Sequence, residues 1–398
     1  MPDYYTANRV YPVSGPMIED GVVVLDGDRI VEVGRRADYA GVSLREFRGA
    51  LVPGFVNTHC HLELSHLKGV APTGTGLLPF LKTVVSQREQ PVEKILRAIA
   101  EEDHRMASEG IVAVGDISNA PHTAERKSTS GIRYYTFLEM FDFMQPALTE
   151  QSFANYAEVY ATPGFTAGEN RRTAAPHAPY TVTEGLFQKI NAQNAADQPD
   201  DAYTVSIHNQ ETPPENALFE SKTGGFLEFY RDFQMSLDHF EPTGQTAIHY
   251  ALAHLNPRAR TLFVHNTLST RADIRAAHDW NPRTYWATCA NANLYIENRL
   301  PDYRRFLDED ARLTLGTDSL TSNWQLSILA EMRTILRYQS YLDFETVLRW
   351  ATLNGASALG YAADLGSLEV GKRPGLVHLT FDAAGQPATA RRVDADFA

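Results

Sequence analysis

Two histidines one residue apart, His59 and His61, close the apolar run Pro53-Gly54-Phe55-Val56-Asn57-Thr58. In an extended strand residues i and i+2 share a face, so both imidazoles can meet one metal ion while Cys60 turns into packing. A lone His-x-His pair is weak, because many such pairs are only hydrogen-bonded. Three later apolar runs end in similar fashion, with His208-Asn209-Gln210-Glu211, with His265, and with Gly316-Thr317-Asp318. They bring four or five candidate ligands to one site. Three imidazoles and a carboxylate form a shell for Zn²⁺ that leaves a position for water. Fe²⁺ accepts a similar set of nitrogen and oxygen donors. Such an ion lowers the pKa of its water from 15.7 to about 7. Glu211 follows His208 closely enough to move protons without ligating the metal itself.

Residues so far apart in sequence need a scaffold that gathers strand ends. Apolar strand candidates fall at 53–60, 111–117, 134–143, 173–178, 203–208, 261–265, 284–289 and 312–317. Amphipathic helices are expected between them, as over Val92 to Ser108, where Ile95, Ile99 and Met106 share one face. Eight strand-helix units over residues 53–354 suit a (β/α)₈ TIM-like barrel, with a doubly wound open sheet as the rival. On a barrel the strand C-termini form the catalytic rim. His59 and His61 would end the first strand, His177 the fourth, His208 and Glu211 the fifth, His265 the sixth and Asp318 the eighth. That common placement, rather than the number of histidines, carries the inference.

The chain ends have a different texture. Tyr4 to Tyr11, Gly21 to Leu25 and Arg29 to Val33 read as short strands, with Asp26-Gly27-Asp28 as a hairpin turn. Gly366 to Lys372 and Leu376 to Phe381 repeat the pattern. Residues 1–52 and 355–398 are therefore expected to pair as one small composite β-sandwich beside the barrel. Gly164 to Arg172 and Ala195 to Asp201 read as loops.

Composition narrows the class. With 43% hydrophobic and 21% charged residues, the chain has the make-up of a globular protein. No apolar run is long enough to span a bilayer. The start carries no basic-then-apolar leader pattern, and Cys60 and Cys289 alone build no disulfide framework, so the cytoplasm is the expected compartment. A net charge of −13 argues against a nucleic-acid partner, which would need basic patches. The expected partner is a small-molecule substrate, with no membrane. Plainer roles compete at each position. His177 could cap a rigid loop, His265 could bond to backbone, and Asp318 could cap a helix near Asn323. His249, His254 and His278 read as surface or packing groups.

The motifs resemble the amidohydrolase superfamily, specifically its mononuclear aminohydrolase branch of cytosine, guanine and adenosine-type deaminases and chlorohydrolases. The resemblance is carried by Pro-Gly-Phe-Val-Asn-Thr-His-Cys-His at 53–61, Pro-His-Ala-Pro-Tyr at 176–180, His-Asn-Gln-Glu-Thr at 208–212, Val-His-Asn at 264–266 and Gly-Thr-Asp-Ser at 316–319. Ala351 to Ala356 and Gly366 to Lys372 extend it. It implies that His59, His61, His208 and Asp318 hold one divalent metal per chain, zinc before iron. It also implies that His265 orients water or substrate, that Glu211 protonates the ring nitrogen and then the departing ammonia, and that Asp318 takes a proton from the attacking water. The fourth strand, Ala174-Ala175-Pro176-His177, has no Lys, Glu or Asp to bridge a second metal, which disfavours two-metal lactonases and cyclic amidases.

Within the branch, His61 to Gly69, Asn291 to Pro301 and Gly371 to Leu376 resemble members that deaminate aminodeoxyfutalosine in menaquinone synthesis. The alternatives are deaminases of methylthioadenosine, adenosylhomocysteine or adenosine, then free-base deaminases and chlorohydrolases, and last a non-catalytic barrel scaffold. Glu63, His177, Asn293, Arg299 and Ser319 are the expected substrate contacts. Lys68, Arg88 and Arg299 are the candidate cations for a substrate carboxylate. Analogy with such relatives suggests a homodimer.

Overall fold

The computed structural model describes residues 2–395. Strands β1 (Asp3–Val10), β2 (Ile18–Asp26), β3 (Arg29–Arg35) and β4 (Arg45–Pro53) precede eight further strands. These are β5 (Phe55–Cys60), β6 (Ile111–Ser118), β7 (Arg133–Met140), β8 (Arg171–Pro176), β9 (Thr204–Asn209), β10 (Arg260–His265), β11 (Thr284–Thr288) and β12 (Leu313–Leu315). Strands β13 (Leu376–Phe381) and β14 (Pro387–Arg392) come last.

The eight central strands form a TIM-like barrel. β5 to β8 pair in sequence order, all parallel, and β9 to β12 do the same. Two seams join these halves at the strand C-termini. At the first, Cys60 bridges Asp318 in parallel register, and the Thr317 and Asp318 amides donate to the His59 carbonyl at 2.9 and 3.0 Å. At the second, the His208 amide donates to the His177 carbonyl at 2.9 Å. The residues that close the ring are thus the residues singled out for chemistry. β5, β6 and β9 are buried along their whole length, as parallel strands covered on both faces require. Among the covering helices, Val92–Ser108 buries Ile95, Ile99 and Met106 on its inner face.

The two chain ends meet in one six-stranded sheet, ordered β14-β13-β4-β1-β2-β3. β4 pairs in parallel with β1 and antiparallel with β13, which ties the start of the chain to its end. Gly27, at φ +62°, makes the tight turn between β2 and β3. Three details differ from the sequence-based expectation. Gly366 to Lys372 is a turn rather than a strand, because Gly366 and Gly371 sit at φ +87° and +92° and break the pleat. β4 and β14 are additional strands, held by their partners rather than by a clear alternation of their own. The two expected loops are shorter than the sequence suggests, since Arg171 and Arg172 already belong to β8 and helix Glu184–Asp197 runs to Asp197.

Candidate metal centre and substrate pocket

His59, His61, His208 and Asp318 each offer one ligand atom, and the four atoms lie within 4.8 Å of one another. Asp318 Oδ1 is 3.5 Å from His59 Nε2 and 3.4 Å from His61 Nε2. His61 Nε2 is 3.3 Å from His208 Nε2. On the far side of its ring, His208 Nδ1 donates to the His177 carbonyl at 2.8 Å, which leaves Nε2 with a lone pair facing the cluster. Both ring nitrogens of His59 are buried without a hydrogen-bond partner. Buried polar atoms are rarely left so, and an ion among four converging donors would give Nε2, the nitrogen that faces Asp318, its partner. The donor set therefore fits a single divalent cation.

Burial fixes the protonation states that such a shell needs. It lowers the His59 and His208 imidazoles and brings His61 down to about 3, so all three stay neutral. Burial would raise Asp318, but the His59 imidazole 3.5 Å away, with those of His61 and His265, outweighs it and holds the carboxyl well below its usual range. Glu211 goes the other way. Burial, then the charges of Asp318 and Glu297, push its carboxyl well up, so it keeps a proton to give. Its Oε2 lies 3.7 Å from His265 Nε2, and its Oε1 is buried without a partner. Gln210, His265, Asn266 and Asp318 all adopt positive φ, between 47° and 71°, a concentration of strained backbone at one strand-end rim. Gly316 has its own reason to be glycine, since a Cβ there would lie 2.8 Å from His59 Cβ and 2.9 Å from Cys289 Sγ.

A set of buried carboxylates pins the loops that carry these groups. Asp116 accepts from the Leu62 amide at 2.8 Å, fixing the backbone just past His61. Glu215 accepts from the Gln210 and Glu211 amides at 2.9 and 3.0 Å. Glu331 accepts from the Asn291 amide at 2.9 Å and from Asn323 Nδ2 at 2.9 Å. Asp116 is neutralised by Lys127, 2.6 Å away, with both side chains fully buried. Removing one partner of such a pair strands the other charge. Lys127→Ala is expected to destabilise the fold by about 3–5 kcal/mol, measured as a fall in the denaturant midpoint.

The ligand cluster opens into a pocket of about 320 Å³. One side is apolar, built from Leu77, Phe80, Leu81 and Val84 of helix Leu77–Gln87 with Phe141, Phe143 and Phe229. His61, His177, His208, Glu211, His265, Asp318 and Ser319 face it from the rim. Of the expected substrate contacts, His177 and Ser319 line this pocket, whereas Glu63, Asn293 and Arg299 do not. Glu63 is a loop brace, pairing with Arg88 at 3.2 Å and accepting from the Asn119 and Ala120 amides at 3.0 and 3.2 Å. Asn293 stands behind the site, where its Oδ1 meets His265 Nδ1 at 2.9 Å. Arg299 follows Asn298, whose φ of +50° ends helix Ala290–Glu297 and turns the chain out to solvent. Lys68 is also exposed. Arg88 is the cation that reaches the pocket wall. Glu139, in β7, was not singled out from sequence, yet it lines the pocket, and burial pushes its carboxyl up to about 8. Asp318 caps no helix; its Oδ2 accepts from Ser322 Oγ at 2.6 Å.

Residues 50–395 match the amidohydrolase family. The chain belongs to that family. Among curated amidohydrolase relatives, an adenosine deaminase of Helicobacter pylori is 27% identical over 372 residues, covering 90% of this chain and 87% of its own. A 5-methylthioadenosine/S-adenosylhomocysteine deaminase of Bacillus cereus is 26% identical over 393 residues, covering 93% of this chain and 82% of its own. Among solved structures, Helicobacter pylori aminofutalosine deaminase in complex with methylthio-coformycin superposes with a TM-score of 0.79 at 24% identity, covering 96% of this chain and 92% of that one. An adenosine deaminase from Xanthomonas campestris with bound zinc gives 0.73 at 25% identity, covering 96% and 85%. The chain is a hydrolytic enzyme of the amidohydrolase family, and the motifs at 53–61, 208–212 and 316–319 lie within the matched residues. No described helix is long and apolar enough to cross a membrane.

Proposed function

We propose that this amidohydrolase is a metal-dependent deaminase that replaces the exocyclic amine of an aminopurine nucleoside with a carbonyl, releasing ammonia. The observation that carries the reading is geometric, a four-donor cluster and an unpartnered buried carboxyl oxygen on one pocket wall. Glu211 Oε1 is that oxygen, with burial pushing its carboxyl up, and Asp318 lies within the donor cluster, whose imidazoles hold its carboxyl down. A hydrolytic deamination needs both, an acid for the ring nitrogen and leaving amine and a base for the attacking water.

His59, His61, His208 and Asp318 would hold the metal, with zinc favoured by the donor set and by the zinc-bound Xanthomonas relative. When bound, the ion supplies Lewis-acid polarisation and a more acidic water. Asp318 accepts a proton from the attacking water. Glu211 gives its proton to the ring nitrogen adjacent to the amidine carbon, which makes that carbon electrophilic. As the tetrahedral carbon collapses, a proton passed through Glu211 lets the amine leave as ammonia. His265, held by Asn293, keeps its Nε2 3.7 Å from Glu211 Oε2.

Within this class, aminodeoxyfutalosine is our first choice of substrate. The stretches at 61–69 and 291–301 support it, and so does a pocket whose apolar wall suits an aromatic substituent and carries Arg88 for a carboxylate. Methylthioadenosine, adenosylhomocysteine and adenosine follow, in keeping with the curated relatives. Zinc-replete protein incubated with each of the four is expected to shift the purine absorbance and release ammonia for at least one. Inertness toward all four, with turnover of a free base or a chlorotriazine, would overturn the nucleoside reading.

A further inference from the structure

Glu139 is the carboxyl on this pocket wall that neither the ligand cluster nor the proton transfers employ. It is 3% exposed and lines the pocket. Its Oε2 accepts from Asn119 Nδ2 at 3.2 Å, and the Asn119 backbone N–H in turn donates to Glu63 Oε2 at 3.0 Å. Its Oε1 is buried without a hydrogen-bond partner. Glu139, His177 and His208 are close enough together to suggest a second cation. That arrangement is blocked, because His208 Nδ1 already donates to the His177 carbonyl at 2.8 Å and so has no lone pair to offer. The same bond explains why Glu139 Oε1, at 3.4 Å from Nδ1, receives no hydrogen from it.

An orphaned acceptor in a largely apolar pocket is costly once water is displaced, unless the ligand brings a donor. An aminopurine nucleoside has few donors to bring. Its ring nitrogens are acceptors, its amine is the group that leaves, and its glycosylated nitrogen carries no hydrogen. The remaining donors are sugar hydroxyls. Building on the nucleoside reading above, we infer that Glu139 is a specificity residue whose Oε1 accepts a hydrogen bond from a sugar hydroxyl of the substrate. A carboxyl and a carboxylate alike present an acceptor at that position. The contact selects nucleosides over deoxynucleosides and operates separately from the chemistry at Glu211.

The test compares kcat/KM for adenosine, 2′-deoxyadenosine and 3′-deoxyadenosine in the zinc-replete wild type and in Glu139→Met, which keeps the volume and removes the acceptor. Glu139→Ala serves as a second variant, and zinc content and melting temperature are measured for all three proteins. The wild type is expected to lose roughly 10- to 100-fold on one of the two deoxynucleosides, the cost of leaving a buried acceptor unpaired. The variants should lose a comparable factor on adenosine, show no further loss on that deoxynucleoside, and keep their zinc. Losses that simply multiply, or a fall in zinc content with all substrates affected equally, would make Glu139 a support for His208 and overturn the inference alone. A wild type inert on these and on aminodeoxyfutalosine, methylthioadenosine and adenosylhomocysteine would overturn the nucleoside reading and this inference with it.

Discussion

Replacing Glu211 with Gln is expected to cut turnover by roughly 100- to 10,000-fold while the protein keeps its metal. The substitution preserves shape and hydrogen-bonding capacity but removes the transferable proton. Glu211 is not among the four converging ligand atoms, and its backbone is pinned by Glu215, so neither the metal nor the loop should notice the change. Steady-state kinetics and elemental analysis on the same preparation check both halves of the expectation. Activity within tenfold of wild type would remove Glu211 from the chemistry. Loss of the metal would make it a ligand instead.

The pH profile sharpens the same prediction. An acid catalyst must be protonated, so kcat falls as pH rises through its pKa. Burial and the charges of Asp318 and Glu297 raise that pKa, so the decline begins well above the ordinary carboxyl range. Asp318 is displaced in the opposite direction and remains a base down to acid pH. The wild type should therefore show a broad plateau with an alkaline decline, and Glu211→Gln should show a low rate from which that decline is missing.

Much of this site was readable from the sequence because its ligands obey local rules. His59 and His61 follow the two-residue period of a strand, and His208, His265 and Asp318 each sit where an apolar run stops. A barrel then converts strand ends into neighbours. What was not readable depends on distances that only the fold sets. Asp116 braces Leu62 across 54 residues, and Glu331 braces Asn291 across 40, with no periodicity to announce either. Glu139 sits inside a buried strand where any polar residue reads as an exception, and its orphaned oxygen exists only relative to Asn119 and His208. Glu63 and Arg299 lie off the pocket lining for the same reason. Proximity to a motif in sequence suggested contact with substrate, while a 3₁₀ turn at Leu62–Leu67 folds Glu63 under the loop and the left-handed Asn298 sends Arg299 away. Glu215 is the exception that could have been found, because it lies at the third position of helix Pro213–Ser221, where an acid commonly caps free amides.

Chelation should give the second large effect. Stripping the metal is expected to abolish turnover and lower the melting temperature, and one equivalent of zinc per chain should restore both. Without the ion, His59 Nε2 is buried and unsatisfied, and the His61 and His208 nitrogens face each other at 3.3 Å. Binding relieves both costs, and at a free-metal concentration 100 times Kd it adds about 2.7 kcal/mol. His61→Ala separates the centre from the rest of the fold most cleanly, because His61 Nε2 lies 3.3 Å from one ligand atom and 3.4 Å from another. That variant should fold, bind less than one equivalent, and show no thermal response to zinc. Two equivalents in the wild type would point to a binuclear centre and overturn the single-ion reading. The fourth barrel strand, where Ala174, Ala175 and Pro176 stand, supplies no acid to bridge a second ion.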